Sequence, residues 1–291
     1  MTQGNETIRL LLASDMSARC DRALDRASQL AKQWGGELLV VHAIDPSEAA
    51  KASRFAGALP SWRQPEQWTA TVTRRLQSDL QDEGISASVL VVDDTPASAV
   101  LGAAKQHDVA LIIGGIAKDD PIGRIQLGST VDRLAREAEA PVLTVRRRVQ
   151  GPYRHVVVAT DFSPASRAAL ETAVRWFGDG KLSLFHAYPS TGSTFDGGHA
   201  IADAWRAVAA SQCDTFLSES GVSAEVSQGI SLILERGHPE VLLPDYVRFA
   251  DVDLVILGTN GRSGLLKALL GSTAENLLHT LDCDTMIVRP Q

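Results

Sequence analysis

Residues 10–17, Leu-Leu-Leu-Ala-Ser-Asp-Met-Ser, return after the midpoint as residues 156–163, Val-Val-Val-Ala-Thr-Asp-Phe-Ser. Each copy is an apolar run of buried type that ends in a hydroxyl residue and an aspartate. Leu39-Val40-Val41-His42-Ala43 returns as Ser183-Leu184-Phe185-His186-Ala187, and Leu111-Ile112-Ile113-Gly114-Gly115 as Leu254-Val255-Ile256-Leu257-Gly258. Gly128-Ser129-Thr130 is answered by Gly271-Ser272-Thr273, and Val145-Arg146 by Val288-Arg289. The offset drifts only from 146 residues (Asp15 to Asp161) to 143 (Gly128 to Gly271), so a whole domain has been duplicated. A length of 291 residues suits two domains. The turn-rich joint Gln150-Gly151-Pro152 separates an expected first domain, 1–149, from a second, 150–291.

Within each copy, apolar runs alternate with amphipathic stretches. In the second, strands are expected at 156–159, 182–187, 230–234, 252–257 and 285–288. Ser163-Pro164 starts a helix, with serine as N-cap and proline where a missing N–H costs nothing. Ile201, Trp205, Val208 and Phe216 mark another, 239–250 a third that Pro244 could bend, and 272–281 the last; 221–231 is hard to place. The first copy follows the same order, with a longer segment, 46–65, before a helix at 68–80. Unbroken apolar strands alternating with helices indicate an α/β fold: two duplicated five-stranded parallel-sheet layer sandwiches with right-handed crossovers. Ligands of such sheets sit beyond the carboxyl ends of the strands, where strand order reverses. That rim carries Asp161, Ala187 and Gly258 in the second domain, and Asp15, Ala43 and Gly115 in the first.

Composition narrows the function. The first 150 residues carry 18 Lys+Arg against 19 Asp+Glu, and the rest 10 against 16, for a net charge of −7. No basic face is implied, so nucleic acid is not an expected partner. Arg146-Arg147-Arg148 reads as a solvated strand end. No apolar run is long enough to span a bilayer, and the polar start, Met1–Thr7, has no signal-peptide core. Three cysteines make no disulfide framework. Together these features lead us to expect a cytoplasmic protein without membrane partners.

The most informative stretch begins where strand four of the second domain ends. Gly258-Thr259-Asn260-Gly261 is followed, nine residues later, by Gly271-Ser272-Thr273. Gly258 and Gly261 lack a Cβ, so backbone can lie against a ribose or phosphate. Gly271-Ser272-Thr273 opens a helix, whose unpaired N–H groups and positive dipole end favour an anion, with two hydroxyls as further donors. The plainer alternative is a loop that only turns the chain, with Ser272 as N-cap. No G-x-x-x-x-G-K-[ST] run exists, and no glycine follows strand one, so neither the P-loop nor the dinucleotide fingerprint is present.

Strand-Asp, strand-His-Ala and then G-x-x-G-x9-G-S-T after strand four together resemble the universal stress protein family. The resemblance covers nearly the whole chain, twice, as in a tandem member. It implies the universal stress protein fold, of the adenine nucleotide alpha hydrolase-like kind. It also implies that motif-bearing domains bind ATP while others bind no nucleotide. By that resemblance Gly258, Gly261, Gly271, Ser272 and Thr273 line the ribose and phosphates, Asp161 reaches the ribose or base side, and the backbone around Ala187 meets the adenine. Magnesium held by the phosphates and Asp161 is compatible with this. The first domain departs from the motif: Lys118 stands where the second has Gly261, Pro121 replaces Gly264, and Asp119-Asp120 follow at once. Lys118 either fills the phosphate place or supplies a cation. Asp15, Ala43, Gly115, Gly128, Ser129 and Thr130 are therefore candidates for a weaker or empty site.

The remaining candidates read blandly. His42 and His186 are expected to be rim histidines held by local hydrogen bonds rather than catalytic groups. Cys20 and Cys283 read as packed small hydrophobes, with redox sensing as the alternative. Arg262 and Lys267 either contact a polyphosphate or are simply exposed. Trp62 and Trp68 are expected to pack on the sheet rather than form a lid. Asp161 either faces the ligand or only caps the helix. No protein-only metal site is expected. If the last strands lie at sheet edges, they need cover, so an intramolecular pseudo-dimer is expected, with or without a further homodimer. The function that follows is an ATP-binding stress-response sensor or regulator. Its rivals are a slow ATPase, for which Asp161 is the one candidate base, and a nucleotide-free interaction scaffold.

Overall fold

The structure, a computed structural model, describes residues 7–18, 20–47, 65–81, 84–116, 118–119, 125–126, 128–188, 198–259 and 270–290. The chain divides into two compact units, one of residues 1–118 and 127–152, the other of 119–126 and 153–291.

The first unit contains β1 (Arg9–Ser14), α1 (Asp21–Trp34), β2 (Glu37–Ala43), α2 (Pro65–Leu80), β3 (Ser86–Val92), α3 (Pro96–Gln106) and β4 (Leu111–Gly115). A short ribbon, β5 (Lys118–Asp119) with β6 (Ile125–Gln126), precedes α4 (Ser129–Glu137) and β7 (Val142–Val145). The strands of the unit's main sheet run in the order β3-β2-β1-β4-β7, and every neighbouring pair is parallel.

The second unit repeats the plan. β8 (His155–Ala159), α5 (Pro164–Phe177), β9 (Lys181–Tyr188), α6 (Gly198–Glu219) and a short α7 (Ala224–Gly229) come first. β10 (Ser231–Arg236), α8 (Pro239–Phe249), β11 (Leu254–Gly258), α9 (Ser272–Thr280) and β12 (Asp284–Val288) complete it. Its order is β10-β9-β8-β11-β12, again all parallel. The expected α/β fold of two duplicated, five-stranded parallel layers is present.

Burial explains the strand sequences. Val156–Val158 and Leu254–Leu257 are at most 3% exposed, because helices cover both faces of the central strands. At the end of each order, β3 and β10 are largely exposed or half-buried and carry more polar residues. The helices that close on the sheet do so through small residues: α5 buries Ala165, Ala169 and Ala173, with Leu170 and Phe177. Ser163 is the N-cap of α5, its Oγ accepting from the Ser166 N–H at 3.2 Å, as Ser-Pro foretells.

The 221–231 segment, hard to place from the sequence, holds α7, capped by Ser223. α8 runs through buried Pro244 to Phe249. The packing expected of the tryptophans needs correction. Trp68 is 49% exposed and so does not pack on the sheet, while Trp62 lies outside the described residues. Trp205 and Val208 are also exposed, and of those two and Phe216 only Phe216 faces the core. Among the described residues no helix is long and apolar enough to cross a membrane.

Candidate functional site

In the second unit strand order reverses between β8 and β11, since β9 and β10 lie to one side of β8 and β11 and β12 to the other. The two strands stay paired through Leu257 and Ala159, but the chain segments that leave them diverge and open a gap, of which the segment leaving β8 forms the first wall. Thr160 Oγ accepts from the Phe162 N–H at 2.9 Å and donates to Ser166 Oγ at 2.9 Å. Asp161 Oδ1 accepts from the Ser163 N–H at 3.0 Å. These bonds hold Phe162 at φ 65°, the left-handed region that a bulky residue seldom enters without such support.

The first unit builds the same turn with different side chains. Ser14 Oγ accepts from the Met16 N–H at 3.2 Å, Asp15 Oδ1 accepts from the Ser17 N–H at 2.9 Å, and Met16 sits at φ 56°. Asp161 thus braces the turn and lines the gap, while the cap of α5 is Ser163.

His186, near the end of β9, places Nδ1 2.8 Å from the carbonyl oxygen of Thr160, and His42 places Nδ1 2.9 Å from that of Ser14. A carbonyl accepts only, so Nδ1 carries the proton in each neutral ring. The expectation of locally held rim histidines is met. The Phe162 ring lies over His186, with centroids 4.2 Å apart.

Across the gap stands the end of β11. A Cβ on Gly258 would lie 2.5 Å from the Ala165 carbonyl carbon and 2.8 Å from the Ser166 nitrogen. The missing side chain therefore admits the first turn of α5, a packing role distinct from the ligand-approach reason drawn from the sequence. Gly271 is the N-cap of α9, its N–H donating to the Thr259 carbonyl at 2.7 Å. Ser272 and Thr273 form the first turn of α9, and Thr273 Oγ1 donates to Glu240 Oε1 at 3.1 Å. The Thr273 hydroxyl proton, expected to be offered to an anion, is thus taken by a carboxylate in the first turn of α8.

These pieces enclose a cleft of about 290 Å³. Asp161, Ala187, Gly258, Gly271, Ser272 and Thr273 all line it. Gly261 belongs to 260–269 and lies outside the described residues, with Arg262 and Lys267. Thr160, Ser163, Ser166, His186, Pro239 and Leu277 also line the cleft. Of these, the three hydroxyl residues went unnoticed as cleft groups, although Ser-Pro at a helix start just past the strand-end aspartate was the available signal. The starts of α5, α8 and α9 therefore converge here with their positive dipole ends, but Pro164 and Pro239 carry no N–H, Ser163 Oγ takes that of Ser166, and the His238 carbonyl takes those of Val241 and Leu242.

The first-unit candidates occupy matching places. Asp15 is exposed in the turn after β1, and Ala43 and Gly115 end β2 and β4. Gly128 is the N-cap of α4, with Ser129 and Thr130 in its first turn. Elsewhere, Cys20 and Cys283 are buried free thiols, as expected of packed small hydrophobes, and Cys213 is buried as well. Burial raises the pKa of Cys20 and pushes that of Cys213 up to about 11, so neither is primed for redox chemistry.

Comparison with known proteins agrees with the duplication. A universal stress protein from Mycolicibacterium smegmatis is 23% identical over the full length of both chains. Universal stress protein E of Salmonella typhi is 42% identical, but over only 57 residues, 20% of this chain and 18% of that protein. Among solved structures, the functionally unknown protein PA1789 from Pseudomonas aeruginosa PAO1 superposes with a TM-score of 0.71 at 22% identity, covering 98% of this chain and 93% of its own. The model of the universal stress protein family matches residues 8–146 and again 152–289, so the chain belongs to that family as a tandem member.

Proposed function

We propose that the second unit binds an adenine nucleotide, with ATP as its occupant, and that the chain is a stress-response sensor or regulator rather than a fast enzyme. The observation that carries this reading is the convergence of Asp161, Ala187, Gly258 and three helix starts on one cleft. The start of α9, where Ser272 and Thr273 line the cleft, supplies N–H donors for phosphate oxygens, and the dipole ends of α5 and α8 add to the attraction. The end of β9 supplies backbone for a base edge, and Asp161 a carboxylate acceptor for ribose hydroxyls. Were magnesium to accompany the phosphates, Asp161 would be the carboxylate to hold it, in place of its contact with the ribose. The first unit serves mainly as structure, or binds more weakly. Buried free cysteines suit a reducing compartment, and the cytoplasm is the expected location.

Calorimetric titration of the purified chain with ATP tests the reading, alongside native mass spectrometry of the protein as purified. The wild type takes up ATP. Gly261→Lys, which copies Lys118 into the second domain, loses binding while its melting temperature holds. Unchanged ATP affinity in that variant would defeat the assignment of the site.

A further inference from the structure

Glu240 follows Pro239, which lines the cleft, and accepts the Thr273 hydroxyl at 3.1 Å; Thr273 lines the cleft as well. The contact is part-buried, so the carboxylate is only partly screened by water. An incoming phosphate that seeks the start of α9 meets a negative charge already holding that hydroxyl. The fold of the helix does not require an acid at this position. α3 of the first unit also begins with a proline, Pro96, and is also 11 residues long, but its second residue is Ala97, 6% exposed. Helix-start N–H groups make a carboxylate tolerable there, yet the first unit manages without one.

We infer that Glu240 is a specificity-determining residue that sets how much negative charge the cleft accepts. It weakens binding of a nucleotide in proportion to the charge that its phosphates bring to the start of α9. The inference rests on the nucleotide reading above and adds the groups that decide among nucleotides. Glu240→Gln keeps the acceptor for Thr273 and removes the charge. Arg236, at the end of β10 on the same rim, is unchanged between wild type and variant and cancels from the comparison.

The experiment is calorimetry on the full chain with adenosine, AMP, ADP and ATP, in EDTA at fixed ionic strength. Wild type is compared with Glu240→Gln and with Glu240→Ala, which reproduces Ala97. In both variants ATP binds about tenfold more tightly than to wild type, AMP about threefold, and adenosine within about twofold. Saturating magnesium shrinks the gain for ATP. An equal gain for adenosine and ATP, or none for ATP, overturns the inference and leaves the nucleotide reading standing. No binding of any of the four ligands to any of the three proteins overturns the nucleotide reading itself, and this inference with it.

Discussion

A methyl group on Gly258 would sit 2.5 Å from the Ala165 carbonyl carbon and 2.7 Å from its oxygen, contacts that only a shift of α5 against the sheet can relieve. Gly114, on the equivalent strand of the first unit, would meet only the Val131 Cγ2 at 3.5 Å, an ordinary contact. Gly258→Ala should therefore cost about 1–3 kcal/mol of stability, and Gly114→Ala clearly less, because its added methyl finds ordinary contact distance. Urea denaturation of the two variants checks the contrast, and equal losses would remove the packing role given to Gly258. The glycine was legible as part of a motif, but its reason was not, because a sequence does not record which helix lies across a strand end. Thr273 illustrates the same limit. Its place at a helix start is plain from Gly-Ser-Thr, while its bond to Glu240, 33 residues earlier, needs the packing of α8 beside α9.

At the scale of elements, the amino end of β8 is pinned to its neighbours by a buried histidine. His155 is 6% exposed; Nδ1 lies 3.2 Å from the Ala250 carbonyl, just past α8, and Nε2 accepts from Ser183 Oγ at 3.0 Å. Burial lowers its pKa and Lys181 adds to this; the Ala250 carbonyl and the carboxylates of Asp253 and Asp251 oppose but do not prevail. The folded state thus prefers the neutral ring, and the unfolded chain binds the proton first. This contribution is complete above the ordinary histidine pKa of about 6.5 and is lost as pH falls through the lower folded value. The urea midpoint should fall across that window, and His155→Gln should flatten the fall. A wild-type midpoint that held constant there would contradict the argument. Elements such as α5 were legible because Ser-Pro and the alanine spacing carry both cap and buried face. The reach of α2 was not. Apolar periodicity reveals which face of a helix turns inward, but not how far the sheet beneath extends, so Trp68 is exposed one turn before buried Val72.

At the scale of the whole molecule, the duplication makes each unit a control for the other. Both have the strand-end turn with its left-handed residue, the rim histidine bonded to a carbonyl, and a Gly-Ser-Thr helix start. Gene duplication preserved these features, while the residues that follow two of the strands differ in charge. Strand register sets Val92 opposite Ala43 and Glu235 opposite Ala187, so Asp93 of the first unit corresponds to Arg236 of the second. The first rim therefore carries Asp93 and Asp94 where the second carries Arg236 and Gly237, and Lys118, Asp119 and Asp120 follow its β4 in place of a second glycine. Arg236 favours an anion on the second rim, partly offset by Glu240, while the paired carboxylates of the first repel one. The full chain should accordingly take up a single equivalent of ATP in calorimetry. Asp161→Ala should abolish that uptake, and Asp15→Ala, in the matching turn, should leave both affinity and stoichiometry as they were. Two equivalents of similar affinity would mean that the first rim's carboxylates are offset by Lys118, and the functional division between the two units would have to be given up.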